Sequence, residues 1–456
     1  MRTKIVTFLA FIFFISLNAQ DKKWTLQECV AYALDNNISI KQQELSNELI
    51  EEDITMAKGN FYPSLDASAS QNFNFGSYID NYGGRVSRDS RSNSVGLQTG
   101  VTLYNGNRNR NILLEAQKNL EAAGFDLEEN KNNIMLFVVN SYLNVLLNRE
   151  SLKIAEDQIV ISNSQVEKAK DLVEAGEQPK TILLEAIATL ASNEQEMTTA
   201  QNALDLSLLS LAQLLQISHI GFDVEDIVLN INSASLIYND TDAIYEKAVG
   251  SLPEIKSAEI VVENSGIAVE TAKAGFYPSL TFGAGLGSSY QHNQGQDDVR
   301  PIVDPDTNEI VMVPNGFGKQ FEDNLGYNVR FSLNIPIFNR FQTKSSVAKA
   351  QINQERAELQ LLDKKLKLRE SVEKAYADAK ASLNQFVSAE KSLTAQNESF
   401  KNAQESYNSG VMTSFDFDQV RNRLVNAQSS LVNAKYNFVF RTKLLEYYLG
   451  IPIVID

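Results

Sequence analysis

The sequence predicts a mixed α and β membrane protein, with four amphipathic strands per chain joined to coiled-coil helices of unusual length. Three observations predict it. One short segment occurs twice, two stretches of helix-forming composition run for roughly 65 residues without proline, and four segments alternate apolar and polar residues over the length of a tilted membrane strand.

The repeat organises everything else. Lys58-Gly59-Asn60-Phe61-Tyr62-Pro63-Ser64-Leu65 returns as Lys273-Ala274-Gly275-Phe276-Tyr277-Pro278-Ser279-Leu280, an offset of 215 residues. Ala33 and Ala248, Ile40 and Ile255, and Lys41 and Lys256 obey the same offset. Further along, Leu103-Tyr104-Asn105 answers Ile337-Phe338-Asn339, Gln117 answers Gln351, Gly176 answers Gly410, and Leu215-Gln216-Ile217 answers Leu449-Gly450-Ile451, all at an offset of 234. A single internal change of 19 residues, lying between paired strands, reconciles the two offsets. The chain is an internal tandem duplication, with one repeat expected over 21–235 and the second over 236–456.

Residues 1–20 carry Arg2 and Lys4, then the apolar run Ile5 to Leu17, and end near the small residue Ala19. This is the pattern of a secretory signal and is too short for a membrane span. A lipid anchor requires a cysteine directly after the apolar run, whereas the single cysteine, Cys29, lies nine residues past Gln20 in a helix-like context. One cysteine also means that no disulfide within the chain is available. The formal charge of −16, about −18 without Arg2 and Lys4, argues against nucleic acid as a partner and against docking on anionic membrane surfaces.

Proline and glycine placement delimits the helices. Between Asn107 and Ala175 there is no proline and only Gly124; between Phe341 and Leu449 there is none and only Gly410. Proline breaks helices and glycine weakens them, so these stretches read as helices of about 100 Å at 1.5 Å per residue. Leu359, Leu362, Leu366, Val372, Tyr376 and Ala379 recur at helical spacing, and helices of that length associate as coiled coils. Gly176 and Gly410, at equivalent repeat positions, mark hairpin tips, and Pro179 suits the first turn of the returning helix.

The strands are expected over about 64–75 and 94–104 in the first repeat and about 279–289 and 325–336 in the second. Leu280, Phe282, Ala284 and Leu286 fall on one face, with Thr281, Gly283, Gly285 and Gly287 on the other. Leu325, Tyr327, Val329, Phe331, Leu333 and Ile335 similarly oppose Gly326, Asn328, Arg330, Ser332 and Asn334. Polar loops join each pair, and the second loop holds the extra residues, including an expected small hairpin over Ile302 to Val311. Four membrane strands are too few to close a barrel, and open edges are not tolerated in lipid. Closure therefore requires other copies. Two would give eight strands and a filled interior, whereas three give 12 and a water-filled lumen, which the polar, glycine-rich face favours.

Trp24-Thr25-Leu26, Ala33-Leu34-Asp35-Asn36-Asn37, the two motifs Phe61-Tyr62-Pro63 and Phe276-Tyr277-Pro278 leading into strands, Leu103-Tyr104-Asn105-Gly106 and Ile337-Phe338-Asn339-Arg340 leaving them, and the tip glycines all occur in order. In this ordered double occurrence the chain resembles the TolC-like family of outer membrane efflux proteins, over nearly all of its length past the signal. The resemblance implies a homotrimer with a 12-stranded barrel in outer membrane lipid, continued by a periplasmic α-helical barrel. It also implies export of small molecules, driven by an inner membrane pump through a periplasmic adaptor protein.

The family's periplasmic constriction is formed by aspartates six and nine residues after the second tip glycine. Here those positions are Asp416 and Gln419, with Asp418 the nearest additional acid, so a departure from the pattern falls at the second site. The bland alternative for Asp416 is a charge in a helix's first turn. Adaptor contact is implied at the tips, around Gly176, Pro179, Thr181, Gly410, Thr413 and Ser414.

No enzyme or cofactor is expected. His219, placed at a helix end, and His292, placed in the outer loop, are far apart and lack metal-ligand spacing. Gly283-Ala284-Gly285-Leu286-Gly287 lies inside an alternating strand, not at the strand-to-helix turn a dinucleotide loop needs. Asp297, Asp298, Asp304 and Asp306 match no calcium loop and read as a solvated face. Two other functions compete: an outlet for type I protein secretion, and a periplasmic coiled-coil structural protein without a channel, which leaves the four strands unexplained.

Overall fold

The computed structural model describes residues 23–79, 81–87, 89–227 and 240–451; the expected signal and the 235/236 junction between repeats lie outside these residues. In chain order the elements are β1 (Lys23–Trp24), α1 (Leu26–Asn36), α2 (Ile38–Gly59), β2 (Ser64–Asn74), β3 (Ser77–Ile79), β4 (Arg85–Ser87) and β5 (Ser90–Tyr104). Then come α3 (Arg108–Glu174), α4 (Lys180–Leu215), β6 (Asp223–Val224), α5 (Thr241–Ser251), α6 (Pro253–Lys273) and a 3₁₀ turn over Ala274–Phe276. The chain finishes with β7 (Ser279–Asn293), β8 (Val299–Val303), β9 (Ile310–Pro314), α7 (Phe317–Asp323), β10 (Gly326–Asn334), α8 (Gln342–Asn408) and α9 (Ser414–Tyr448). The described residues form two compact units, one from the described parts of 23–47, 122–259 and 360–451, the other from those of 48–121 and 260–359.

The first unit is helical. Thr25 starts α1 with a capping box: its Oγ1 accepts the Glu28 N–H at 3.1 Å, while Glu28 Oε2 accepts the Thr25 N–H at 3.1 Å. Buried positions repeat with the offsets of the sequence. Ala33 and Ala248, and Ile40 and Ile255, are 215 apart; Val138 and Val372, Leu211 and Leu445, and Leu215 and Leu449 are 234 apart, and all are buried. The tandem repeat is thus two copies of one packing arrangement. Tyr142, fully buried, donates to the carbonyls of Trp24 at 3.1 Å and Glu225 at 2.7 Å, which secures the small parallel β1/β6 pair.

The tips form by the same hydrogen bonds in both copies. Gly176 takes φ +75°, and the N–H groups of Glu177 and Gln178 both return to the Leu172 carbonyl, at 2.9 and 3.2 Å. Gly410 takes φ +76°, and Val411 and Met412 return to the Ser406 carbonyl at 2.9 and 3.2 Å. Glycine adopts the left-handed region without steric cost, which ends each long helix. Pro179 sits at the N-cap of α4, one residue before its first turn, because an extended proline needs no N–H there.

The second unit centres on an antiparallel sheet of four strands in the order β10-β7-β5-β2. Ser64 faces Gly100 in the first hairpin, and Ser279 faces Asn334 in the second, so both registers obey the same two offsets. β5 begins four residues before the expected position, and β7 ends four residues later, at Asn293. Ser90 to Ser94 pair with Asn293 to Ser289, so backbone pairing continues where the apolar pattern has ended. His292 consequently belongs to β7 and not to the loop. The β8/β9 hairpin closes with Val303 facing Ile310.

Candidate functional site: open sheet and helix-hairpin tips

In the sheet, pairing brings side chains of one character to each face. Leu97 faces Leu286, which also faces Tyr327; Val101 faces Phe282, which also faces Phe331. On the opposite face Gly96 and Gly326 both flank Gly287, and Gly100 flanks Gly283. The glycine face leaves little room: a Cβ on Gly287 would lie 3.1 Å from the Val95 carbonyl oxygen. Both outer strands, β2 and β10, are exposed along their whole length, and neither has a partner on its free edge among the described residues. On β10, Tyr327 is 87% exposed and Phe331 66%, an apolar row left open among the described residues.

The motifs that lead into the strands are built alike. After α2, the N–H groups of Phe61 and Tyr62 return to the carbonyls of Lys58 and Gly59 at 3.1 and 3.0 Å, and Pro63 immediately precedes β2. After α6, the 3₁₀ turn closes with Tyr277 N–H to the Ala274 carbonyl at 3.1 Å, and Pro278 precedes β7. Sequence reasoning missed the clasp that holds each one. Asn109 Nδ2 donates to the Asn60 carbonyl at 2.9 Å, and Thr343 Oγ1 donates to the Gly275 carbonyl at 3.3 Å. Asn105 Nδ2 donates to Asn109 Oδ1 at 2.7 Å, and Asn339 likewise donates to Thr343. Both clasps follow the repeat offsets, which was the available signal.

At the tips, Gly176, Pro179, Thr181, Gly410 and Thr413 are exposed and Ser414 is half-buried. Thr413 is the N-cap of α9: its Oγ1 accepts the Asp416 N–H at 3.2 Å and donates to Asp416 Oδ2 at 2.7 Å. Asp416 and Gln419 are exposed. Asp418 instead turns into the hairpin packing, where its Oδ1 accepts from Gln165 Nε2 at 2.9 Å and lies 3.3 Å from Arg421 Nη2.

Arg421 was not anticipated. It is only 3% exposed and occupies the stripe of α9 that also buries Phe417 and Leu424. Its Nη1 donates to Gln165 Oε1 at 2.7 Å and to Ser162 Oγ at 3.3 Å, and Asn193 Nδ2 donates to the same Ser162 hydroxyl at 2.6 Å. Burial lowers the guanidinium's pKa from its ordinary value, and Asp418 opposes that shift. A cation on an apolar helical stripe was the signal in the sequence. Lys168 completes the joint between α3 and α8, donating to the Tyr407 carbonyl at 2.7 Å and lying 4.0 Å from its ring centre.

Among the described residues no group of three or more His, Cys, Asp or Glu is placed to hold a metal ion, and no helix is long and apolar enough to cross a membrane. Asp298 is not a merely solvated acid: it receives hydrogen bonds from Tyr290 Oη at 2.9 Å and pairs with His292 Nδ1 at 2.8 Å.

The family model described as outer membrane efflux protein matches residues 30–215 and 244–450, one block in each half of the chain. The outer membrane efflux protein BepC of Brucella suis is 21% identical over 91% of this chain and 83% of its own length. The alkaline protease secretion protein AprF of Pseudomonas aeruginosa is 20% identical over 70% of this chain and 61% of its own length. The crystal structure of the outer membrane protein VceC from Vibrio cholerae superposes with a TM-score of 0.73 at 17% identity, over 93% of this chain and 96% of that one.

Proposed function

The chain belongs to the outer membrane efflux protein family, and from that premise we propose that three copies form the exit duct of a tripartite efflux system. The protein is an outer membrane channel with a helical periplasmic extension. Small molecules enter from an inner membrane pump and a periplasmic adaptor and leave to the exterior. The observation that carries this is the four-stranded sheet with two bare edges and an uncovered apolar row. In lipid such edges must be paired, and pairing among copies is the only closure a four-stranded chain has.

The strand directions support rotation-related closure. In an antiparallel sheet ordered β10-β7-β5-β2, the two edge strands run in opposite senses, so β10 of one copy meets β2 of the next antiparallel. Three copies give 12 strands, enough for a lumen lined by the glycine and polar face. The repeat also supports a register. Gln98 faces Gly285 within the chain; adding 234 to the first and subtracting 215 from the second pairs Ser332 with Ser70 of the next copy.

Oxidation of a variant carrying both Ser332→Cys and Ser70→Cys should yield a covalent trimer, while Ser332→Cys with Ala69→Cys, on the opposite face, should not. The purified trimer should form conducting pores in planar bilayers. A soluble, non-conducting monomer would end the proposal and favour a periplasmic coiled-coil protein.

The similarity to AprF supports a second reading, an outlet for protein secretion. Complementation of a strain lacking its own outlet, scored for drug resistance and for protease export, separates the two. Within either reading we assign the periplasmic constriction to Asp416, with Asp418 and Gln419 beside it, and adaptor contact to the tips at Gly176, Pro179, Thr181, Gly410, Thr413 and Ser414. Crosslinking from tip cysteines to a co-expressed adaptor tests that assignment, and a scan without tip-specific products removes it.

A further inference from the structure

The long second loop of the sheet unit is folded, and it is folded onto one particular face. Ser288, Tyr290 and His292 continue the face of β7 that carries Leu280, Phe282 and Leu286. Each of the three meets the loop. Ser288 Oγ donates to the Phe321 carbonyl at 2.5 Å, the Tyr290 ring packs at 5.0 Å against Phe317, and Tyr290 and His292 both bind Asp298. Tyr290 and Ser288 are buried as a result, whereas Ser289, Gln291 and Asn293 on the opposite face stay exposed. α7 also closes the part of β7 that β10 does not reach, with Gln320 bonded to both backbone groups of Gln291 and Asn324 Nδ2 donating to the Ser289 carbonyl at 2.6 Å. The loop therefore lies on the apolar side of the wall and not on the glycine side.

The β8/β9 hairpin extends from this anchored part, and its two faces differ. Arg300 points to α7, where it pairs with Asp323 at 3.0 Å, and its cross-strand neighbour Val313 is half-buried. The other face consists of Val299, Pro301, Val303, Ile310, Met312 and Pro314, paired across the two strands, and every one is exposed. Ile310 is 74% exposed and Met312 59%. Among the described residues this face, turned away from α7, is left largely open, with Val299 still 40% exposed.

We propose that this hairpin is a membrane collar: its apolar face rests in the headgroup and acyl boundary of the outer leaflet, beside the barrel. The inference rests on the barrel reading above, which turns the Leu280, Phe282 and Leu286 face to lipid. Continuity carries it, because the loop docks on that same face directly beyond the apolar band. The Tyr290, Phe317 and Phe321 cluster stands at the band's edge, where aromatic side chains favour the interface. The 19 extra residues of the second repeat thus supply this anchor.

The test uses the full-length trimer in vesicles of phosphatidylethanolamine and phosphatidylglycerol with brominated acyl chains. A bimane fluorophore is placed on one introduced cysteine at a time; native Cys29 is fully buried. The sites are Ile310→Cys and Met312→Cys on the apolar face, Thr307→Cys at the hairpin's turn, and Val329→Cys in the band. Val329 should be strongly quenched, and Ile310 and Met312 at least about twofold, as for groups about 5–10 Å into the interface. Thr307 should be unaffected. Quenching at Val329 without any at Ile310 or Met312 overturns the collar and leaves the barrel standing. No quenching at Val329 removes the barrel reading and the collar with it. Oxidative crosslinking of Ile310→Cys between copies would assign the face to a second copy and likewise overturn the collar.

Discussion

Arg421 Nη2 lies 3.3 Å from Asp418 Oδ1 at a position where the arginine is almost wholly out of water. Gln165 bonds to both, so three side chains from α3 and α9 are linked, with Arg421 Nε left buried and unbonded. A buried cation is tolerable only with its partner present. Asp418→Ala should therefore destabilise the tip by about 1–3 kcal/mol, less than a fully buried pair because Asp418 keeps some water. Asp418→Asn retains an acceptor for Gln165 and should cost less. Melting of the helical circular dichroism signal in detergent gives the order, and an unchanged midpoint for Asp418→Ala would refute it.

The same geometry separates the two acids at the proposed constriction. Asp416 is exposed and, among the described residues, bound to its own cap, Thr413, whereas Asp418 is held by Gln165 and Arg421. A carboxylate about 4 Å from a passing ion is worth on the order of 1 kcal/mol in water. Asp416→Ala should thus lower cation selectivity severalfold, while Asp418→Ala changes selectivity little. Recordings in planar bilayers decide this, and equal effects from the two variants would show that Asp418 also lines the pore.

The duplication, the strand pairs and the tip glycines were legible because each left a periodic or repeated trace. Asp416 was singled out by the family resemblance, which points to the position six residues after Gly410. Arg421 was not, because its meaning depends on Gln165 and Ser162, more than 250 residues earlier in the chain. The outer ends of β5 and β7 were also missed, since Ser90 to Ser94 carry no apolar alternation and pair through backbone groups alone. The small hairpin of the second loop was legible, but its docking on β7 stayed hidden for a related reason: Tyr290, His292 and Asp298 make sense only once β7 is known to continue to Asn293.

Gly106 and Gly176 both have φ near +70°, at +67° and +75°, but their surroundings differ. A Cβ on Gly106 would lie 2.8 Å from Tyr277 Cβ and 3.0 Å from the Ala274 carbonyl oxygen, while one on Gly176 meets open space. Left-handed backbone costs a non-glycine residue roughly 1–2 kcal/mol. Gly176→Ala should cost about that much. Gly106→Ala adds a clash with backbone and with the motif leading into β7, so its cost should exceed about 2 kcal/mol. Thermal melts of the two variants test the contrast, and equal shifts would mean that the Gly106 contact relaxes freely.

Asp298 couples the second loop to pH. The hydrogen bond from His292 holds its carboxyl below the ordinary value of 3.8, with Tyr290 and the nearby Arg91 acting in the same sense. A carboxylate whose pKa is lowered by folding contributes stability above its unfolded value and loses it as pH falls through the folded one. The loop should therefore stay docked at neutral pH and loosen only below about pH 4. A nitroxide on Thr307→Cys should sharpen toward a mobile spectrum in that range, and Asp298→Asn should shift the spectrum the same way at neutral pH. A spectrum that stays unchanged as pH falls from about 5 to 2 would overturn the coupling, because Asp298 takes up its proton in that range.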